Sequence, residues 1–237
     1  MAGEQDPREG ARGRSVVVLP QPGRRATRKA EVRTRILQAA RAIFFRDGFM
    51  EASLDEIAGR ADLGKGTLYR HFESKAELYV AVLAANGAIF EDRMRAVIDS
   101  EAHALDQLRA VGDFYKRYWS ERPENFGIFW AVNSQNFIGE LSRPLLDEVR
   151  SIWEQPLRIL EHVLSKGVER GELRPCDPWV MAHVIWRAGN GAIEALVTPK
   201  RARVLDCSPE AIWRDTLDLV ILGMRTHPDD EAADPTD

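Results

Sequence analysis

The sequence predicts an all-α fold. Apolar residues recur at three- and four-residue spacing along most of its length, with no convincing alternation of the kind a strand needs. Two serine–glutamate pairs, Ser53 with Glu56 and Ser74 with Glu77, mark helix starts: the serine oxygen accepts from a free backbone N–H and the glutamate reaches back. Charge is also segregated. Residues 24–75 carry twelve Lys and Arg against seven Asp and Glu, a net of +5. Residues 76–237 carry eighteen against twenty-seven, a net of −9, and residues 1–23 balance. Inside an overall charge of −4, a small basic head is joined to a larger acidic body.

Before the first helix, residues 1–23 are rich in Gly, Pro, Arg and Gln and read as a disordered tail. The first helix runs from about Thr27 to Asp47, where Ile36, Ala40 and Phe44, joined by Leu37 and Ile43, make one apolar stripe. Gly48 stops it, as a residue just past a helix end often does. The second helix opens at Ser53 and ends at Ala61, burying Leu54, Ile57 and Ala58. A turn, Ala61-Asp62-Leu63-Gly64, leads into a third helix over about Lys65–Phe72. There Leu68 and Phe72 face inward and leave Lys65, Thr67 and Arg70 outward. The fourth opens at Ser74 and runs to about Ser100.

Two short helices across a tight turn, braced by a helix on either side, form a helix-turn-helix head, placed here at residues 24–75. The body, residues 76–227, continues with helices over about Ala104–Ser120, Pro123–Asn136, Arg143–Arg170, Asp177–Val197 and Ser208–Arg225. Pro156 is expected to kink or split the third of these. Residues 228–237 read as a disordered acidic tail.

At 237 residues the chain can bury a real core. No apolar run reaches the roughly 18 residues of a membrane span. Val16–Leu19 is too short for a signal-peptide core and is followed by Pro20 and Pro22, so a cytoplasmic location is expected. Cys176 and Cys207 show no metal spacing and read as inert thiols.

From Ile36 to Leu83 the residues carry a resemblance. The sequence Ile36-Leu37-Gln38-Ala39-Ala40, Phe44, Gly48-Phe49, Ser53-Leu54-Asp55-Glu56-Ile57-Ala58, Lys65-Gly66-Thr67-Leu68-Tyr69-Arg70-His71-Phe72, Ser74-Lys75 and Glu77-Leu78 resembles the DNA-binding domain of TetR-family transcriptional regulators. It covers about a fifth of the chain, without gaps. The resemblance implies a homodimer, a palindromic double-stranded DNA operator, and a small hydrophobic effector bound in a C-terminal helical ligand-binding and dimerisation domain. It implies no cofactor, no metal and no catalytic residues.

On the family's pattern, Lys65, Thr67 and Arg70 reach base edges, with Arg70 able to bond bidentately to guanine. Gly66 lets the backbone approach DNA closely. Tyr69 and His71 match the family's phosphate-contacting pair, Lys75 adds a cation, and Ser53 stands at a helix N-terminus suited to a phosphate. Structural alternatives compete: Tyr69 as partly core, His71 as a cap or solvated residue, Ser53 as a cap alone. Arg24, Arg25, Arg28 and Lys29 suit either an electrostatic arm or a plain solvated end. Two departures from the common pattern stand out. Gly64 replaces a small polar residue, often serine, before Lys-Gly. Asp62 replaces a turn glycine, at a position where aspartate still tolerates a left-handed backbone.

The body offers aromatics such as Tyr115, Trp119, Phe126, Phe129, Phe137, Trp153 and Trp186, with Asn133, Gln135, His162 or Asn190 as polar groups for a pocket. Core packing is the simpler use of any one of them. A small-residue face, Ala188-Gly189-Asn190-Gly191-Ala192 with Ala195, and a stripe of Ile212, Leu217, Val220, Ile221 and Met224 suit a four-helix dimer interface. Burial inside one subunit is the competing use. Two half-sites one DNA turn, about 34–36 Å, or more apart would suit such a dimer. The expected function is a ligand-responsive repressor. The alternatives are a ligand-independent regulator, an activator, or a helical interaction scaffold. Asp99 with His103, and Glu161 beside His162, lack a third ligand or a nucleophile, so no enzyme is expected.

Overall fold

The computed structural model describes residues 23–131, 138–139, 141–197 and 207–226. Of the tail expected at 1–23 all but Gly23, the tail expected at 228–237, and Asn133, Gln135 and Phe137 lie outside them. Among the described residues the elements are helices: α1 (Arg24–Glu51), α2 (Leu54–Arg60), α3 (Lys65–Tyr69), α4 (Lys75–Arg95), α5 (Ala104–Glu121), α6 (Pro123–Ala131), α7 (Arg143–Glu169), α8 (Pro178–Val197) and α9 (Pro209–Met224). The all-α expectation holds. None of these helices is long and apolar enough to cross a membrane.

The local signals act much as their chemistry dictates. Gly48 takes φ 74°, ψ 177°, breaking α1 and leaving Phe49–Glu51 as a separate turn. Ser53 Oγ accepts from the Glu56 N–H at 3.4 Å, and Ser74 Oγ from the Glu77 N–H at 3.0 Å. In the second, Glu77 reaches back past the cap to accept from the Glu73 N–H. In the first, Glu56 instead turns away to meet Arg46 at 2.8 and 2.7 Å, joining α2 to α1. A fork to a guanidinium is the stronger bond. Asp62 takes φ 56°, so the turn between α2 and α3 is left-handed as expected.

α1 starts at Arg24, three residues before the expected start, with Gly23 as its extended N-cap. α3 ends at Tyr69, because the N–H groups of His71 and Phe72 both turn back to the Leu68 carbonyl. α7 runs through Pro156 unsplit. Its apolar face, with Leu157, Leu160 and Leu164 buried, holds it against the neighbouring helices. Gly87 of α4 allows that close packing: a Cβ there would lie 2.8 Å from Ile152 Cγ2.

Two buried clusters result. The first joins Ile36, Ala40, Ile43 and Phe44 of α1 to Ile57 and Ala58 of α2, Leu68, Phe72, and Leu78–Leu83 of α4. Leu68 and Phe72 are each 1% exposed. Full burial contributes about 1.5–3 kcal/mol per side chain, which fixes a five-residue helix too short to persist alone. The second cluster gathers Phe90 and Met94 of α4 with aromatic residues of α5 and the apolar faces of α7, α8 and α9. α4 therefore enters both clusters. So does α6, with Ile128 in the first and Phe126 in the second.

Candidate nucleic-acid interface and body cavity

α3 is held from beneath by Leu68 and Phe72 and presents its other side to solvent. Gly66 is exposed, with nothing within 4 Å of the position a Cβ would take. Tyr69 is 44% exposed, which places its ring outside the core. Arg70 is exposed and donates from Nη2 to Thr67 Oγ1 at 2.9 Å. Lys65 Nζ lies 2.7 Å from Asp55 Oδ1 of α2, and that hydrogen-bonded carboxylate raises the lysine's pKa. His71 is half-buried. Partial burial lowers its pKa, and the nearby charges of Lys29, Arg33 and Arg70 lower it further.

The structure thus brings the start of α1 beside the end of α3. Lys29, of the basic cluster, and Arg33, one turn on, both act on His71. Arg33 also stacks over the Phe72 ring at 4.8 Å. Sequence reasoning missed Arg33, although its place four residues after Lys29 on one helix face was a usable signal. Arg24 and Arg25 fill the first turn of α1, which has no side-chain cap and no acidic residue. Cations at that end oppose the helix dipole, so an anion there would relieve them.

Lys75 and Ser53 are placed differently. Lys75 Nζ donates to the carbonyls of Met50 (2.8 Å) and Ala52 (3.3 Å) and sits 5.0 Å from the Phe49 ring centroid. It ties α4 to the break after α1 rather than pointing with the α3 residues. Ser53 is exposed and engaged as a cap.

In the body, Tyr115, Trp119, Phe126, Phe129, Trp153, Leu157 and Trp186 line a cavity of about 340 Å³ together with His183, Arg187, Asn190, Gly191 and Glu194 of α8. The Tyr115 hydroxyl donates to Asn190 Oδ1. Burial raises the Tyr115 pKa, the nearby Trp119 indole N–H opposes that rise, and the N–H itself reaches no acceptor. The pairs considered for catalysis have structural partners: His103 Nδ1 accepts from the Leu105 N–H, and Glu161 meets Arg158 at 2.8 Å.

The cavity connects to the head. Phe126 and Phe129 share α6 with Ile128, whose carbonyl accepts from the Tyr79 hydroxyl of α4 at 2.6 Å. Tyr79 in turn packs edge-on against Phe44 of α1 at 4.8 Å.

Much of the small-residue face and apolar stripe that suit a dimer interface is used within the subunit. Ile221, Met224 and Ala192 are buried within the subunit. Leu217 fills the space beside Gly112, and Asn190 is bound to Tyr115. The exposed apolar residues of these helices are instead Val180 and Val184 on α8 and Leu219 and Leu222 on α9.

A compact helical head with a solvent-facing second helix, carried on a helical body with its own cavity, defines a helix-turn-helix DNA-binding transcriptional regulator. The profile described as "Bacterial regulatory proteins, tetR family" matches residues 36–82. The fatty acid metabolism regulator protein of Bacillus subtilis is 23% identical over 139 residues, covering 59% of this chain and 69% of that protein. The DNA-binding transcriptional repressor TetR of Mycobacteroides abscessus is 29% identical over 139 residues, covering 58% and 68%. Among solved structures, the transcriptional regulator FadR from Bacillus subtilis in complex with stearoyl-CoA matches with a TM-score of 0.68 at 18% identity. That match covers 81% of this chain and 99% of FadR. Residues 36–82 thus match the DNA-binding domain of the TetR family of bacterial regulatory proteins, and the chain as a whole shares its fold with FadR.

Proposed function

We propose that the protein is a homodimeric, cytoplasmic repressor that binds a palindromic operator through residues 24–75 and is released when residues 76–227 bind a small apolar effector. The observation that carries this reading is the outward surface of α3, with Gly66, Tyr69 and Arg70 exposed beside the Lys29–Arg33 charges. Arg70, Lys65 and Thr67 read bases. Gly66 allows the approach, and Tyr69 and His71 hold phosphates. Ser53 and Lys75 shape the head, with a phosphate contact as a lesser role. Arg24, Arg25 and Arg28 extend the cationic track.

The second copy docks on the apolar face of Val180, Val184, Leu219 and Leu222, on two helices that pack against each other. Two-fold symmetry then matches two half-sites. The Tyr79–Ile128 bond gives effector binding in the cavity a path to the head, through an element shared by both buried clusters.

Selection of binding sequences from random DNA tests the proposal. A palindromic consensus is expected. Arg70→Ala should relax preference at one position by about 1–3 kcal/mol of discrimination, and Tyr69→Ala should weaken binding to all sequences alike. Enrichment of no sequence by the wild-type protein would refute it.

A further inference from the structure

The cavity is lined by two chemically unlike sets of side chains. One is a cluster of rings from α5, α6, α7 and α8. Trp119 meets Phe126 and Phe129 edge-on, and Tyr115 meets Trp186 at 5.2 Å. The other is a polar stripe on α8, where His183, Arg187, Asn190 and Glu194 recur at helical spacing. Hydrogen-bond capacity among these side chains is lopsided. The Trp119 indole N–H is buried and has no acceptor. Asn190 spends its carbonyl oxygen on Tyr115, and its amide N–H groups have no partner among the described residues. Arg187 makes no ion pair or hydrogen bond among the described residues, and it stands exposed at the edge of the cavity. Glu194, the carboxylate among the lining residues, is already engaged in an interaction. The cavity therefore offers unpaired donors and the Arg187 charge beside apolar rings, with Glu194 the one carboxylate among its lining residues.

Resting on the effector reading above, we propose that this cavity takes a small organic carboxylate with an apolar body. Arg187, His183 and the Asn190 amide hold the carboxylate, and the rings of Trp119, Phe126, Phe129 and Trp186 enclose the body. A guanidinium is suited to a carboxylate fork. A volume of about 340 Å³ lies at the small end of ligand pockets, about 300–1,000 Å³. That size favours a free acid over a thioester on a nucleotide-sized carrier, whose carbonyl also carries no charge. A ring-lined cavity also suits a quaternary ammonium ion, but the Arg187 guanidinium opposes a cation and Glu194 is occupied. The apolar slot beside Gly112 and Trp213, about 50 Å³, is too small to compete.

Calorimetric titration of the full-length protein with decanoate, naphthoate, naphthylmethanol and choline tests the class. At least one carboxylate should bind, about tenfold or more tighter than the neutral alcohol and than choline. Arg187→Gln, at an exposed and unpaired position, should fold normally and lose about tenfold in carboxylate affinity, leaving the alcohol unchanged. Arg187→Lys should restore part of that loss. Failure of both carboxylates to bind at millimolar concentration, tighter binding of choline, or an unchanged carboxylate affinity in Arg187→Gln would overturn the proposal. Operator release is measured separately on the protein–DNA complex. A carboxylate that binds without releasing DNA sustains the ligand class and refutes the effector reading. Release by choline or the alcohol alone does the reverse.

Discussion

Tyr79→Phe isolates the bond that joins the body to the head. The Tyr79 hydroxyl donates to the Ile128 carbonyl at 2.6 Å, and both residues are almost fully buried. Ile128 stands on α6 (Pro123–Ala131), so the tyrosine ties that helix directly to α4. The substitution keeps the ring and its edge-on packing on Phe44 (4.8 Å) and Phe49 (5.3 Å) and removes the hydroxyl's bond to the Ile128 carbonyl. Losing one buried hydrogen bond costs about 0.5–1.5 kcal/mol, and for a chain of this size each kcal/mol moves Tm by roughly 2–4 °C. Urea unfolding should be followed by two probes. All six tryptophans lie between Trp119 and Trp213, so their fluorescence reports the body while far-ultraviolet dichroism reports the whole chain. Coincident transitions license a single free energy. The variant should also retain operator binding while responding less to effector, because α6 carries Phe126 and Phe129 of the cavity. A stability within about 0.5 kcal/mol of wild type, the scatter of a neutral surface change, would refute the role given to this bond.

Three further outcomes are expected. His71 has its pKa lowered by partial burial and by Lys29, Arg33 and Arg70. Its contribution to stability is therefore complete above the ordinary histidine value of about 6.5 and is lost as pH falls through the lower folded value. Operator affinity should move the opposite way, rising as pH falls through that region because phosphates favour the protonated ring, and His71→Gln should flatten both profiles in unfolding and binding titrations. Val184→Glu combined with Leu219→Glu places charge on the exposed apolar face of α8 and α9; light scattering should show a monomer and operator affinity should collapse, whereas a persistent dimer would place the interface elsewhere. Lys65→Gln should relax operator preference at one base position, whereas Lys75→Gln should lower Tm, since its ammonium serves the Met50 and Ala52 carbonyls.

The head was legible because its determinants are local. Serine caps, the glycine break at Gly48, the left-handed Asp62 and the Leu68–Phe72 spacing each act within a few residues of themselves. What escaped was contact at a distance. Glu56 leaves its box for Arg46, ten residues away, and Lys75 reaches carbonyls 25 and 23 residues earlier. In the body, α8 and α9 carry apolar residues on more than one face, so periodicity could not choose which face turns inward. Ile221 and Met224 went into the core, and Val184 and Leu219 were left outside. Pro156 failed to split α7 because buried leucines on both helical turns after it hold the rod in place.

The same distinction separates the two lysines that looked alike in the sequence. Lys65 meets one exposed carboxylate, Asp55, in a pair that water and salt screen, so exchanging it for a DNA phosphate or base changes little elsewhere. Arg70 is tethered to Thr67 by one exposed hydrogen bond and is as easily redirected. Lys75 satisfies two carbonyls at the end of α1 and lies against Phe49, so withdrawing it strands acceptors at the joint between α1 and α4. A surface that must trade its own bonds for those of DNA works when the traded bonds are weak and the supporting ones are not. α3 meets that condition: its outward residues are held by single exposed contacts, and its inward ones are buried to the last per cent.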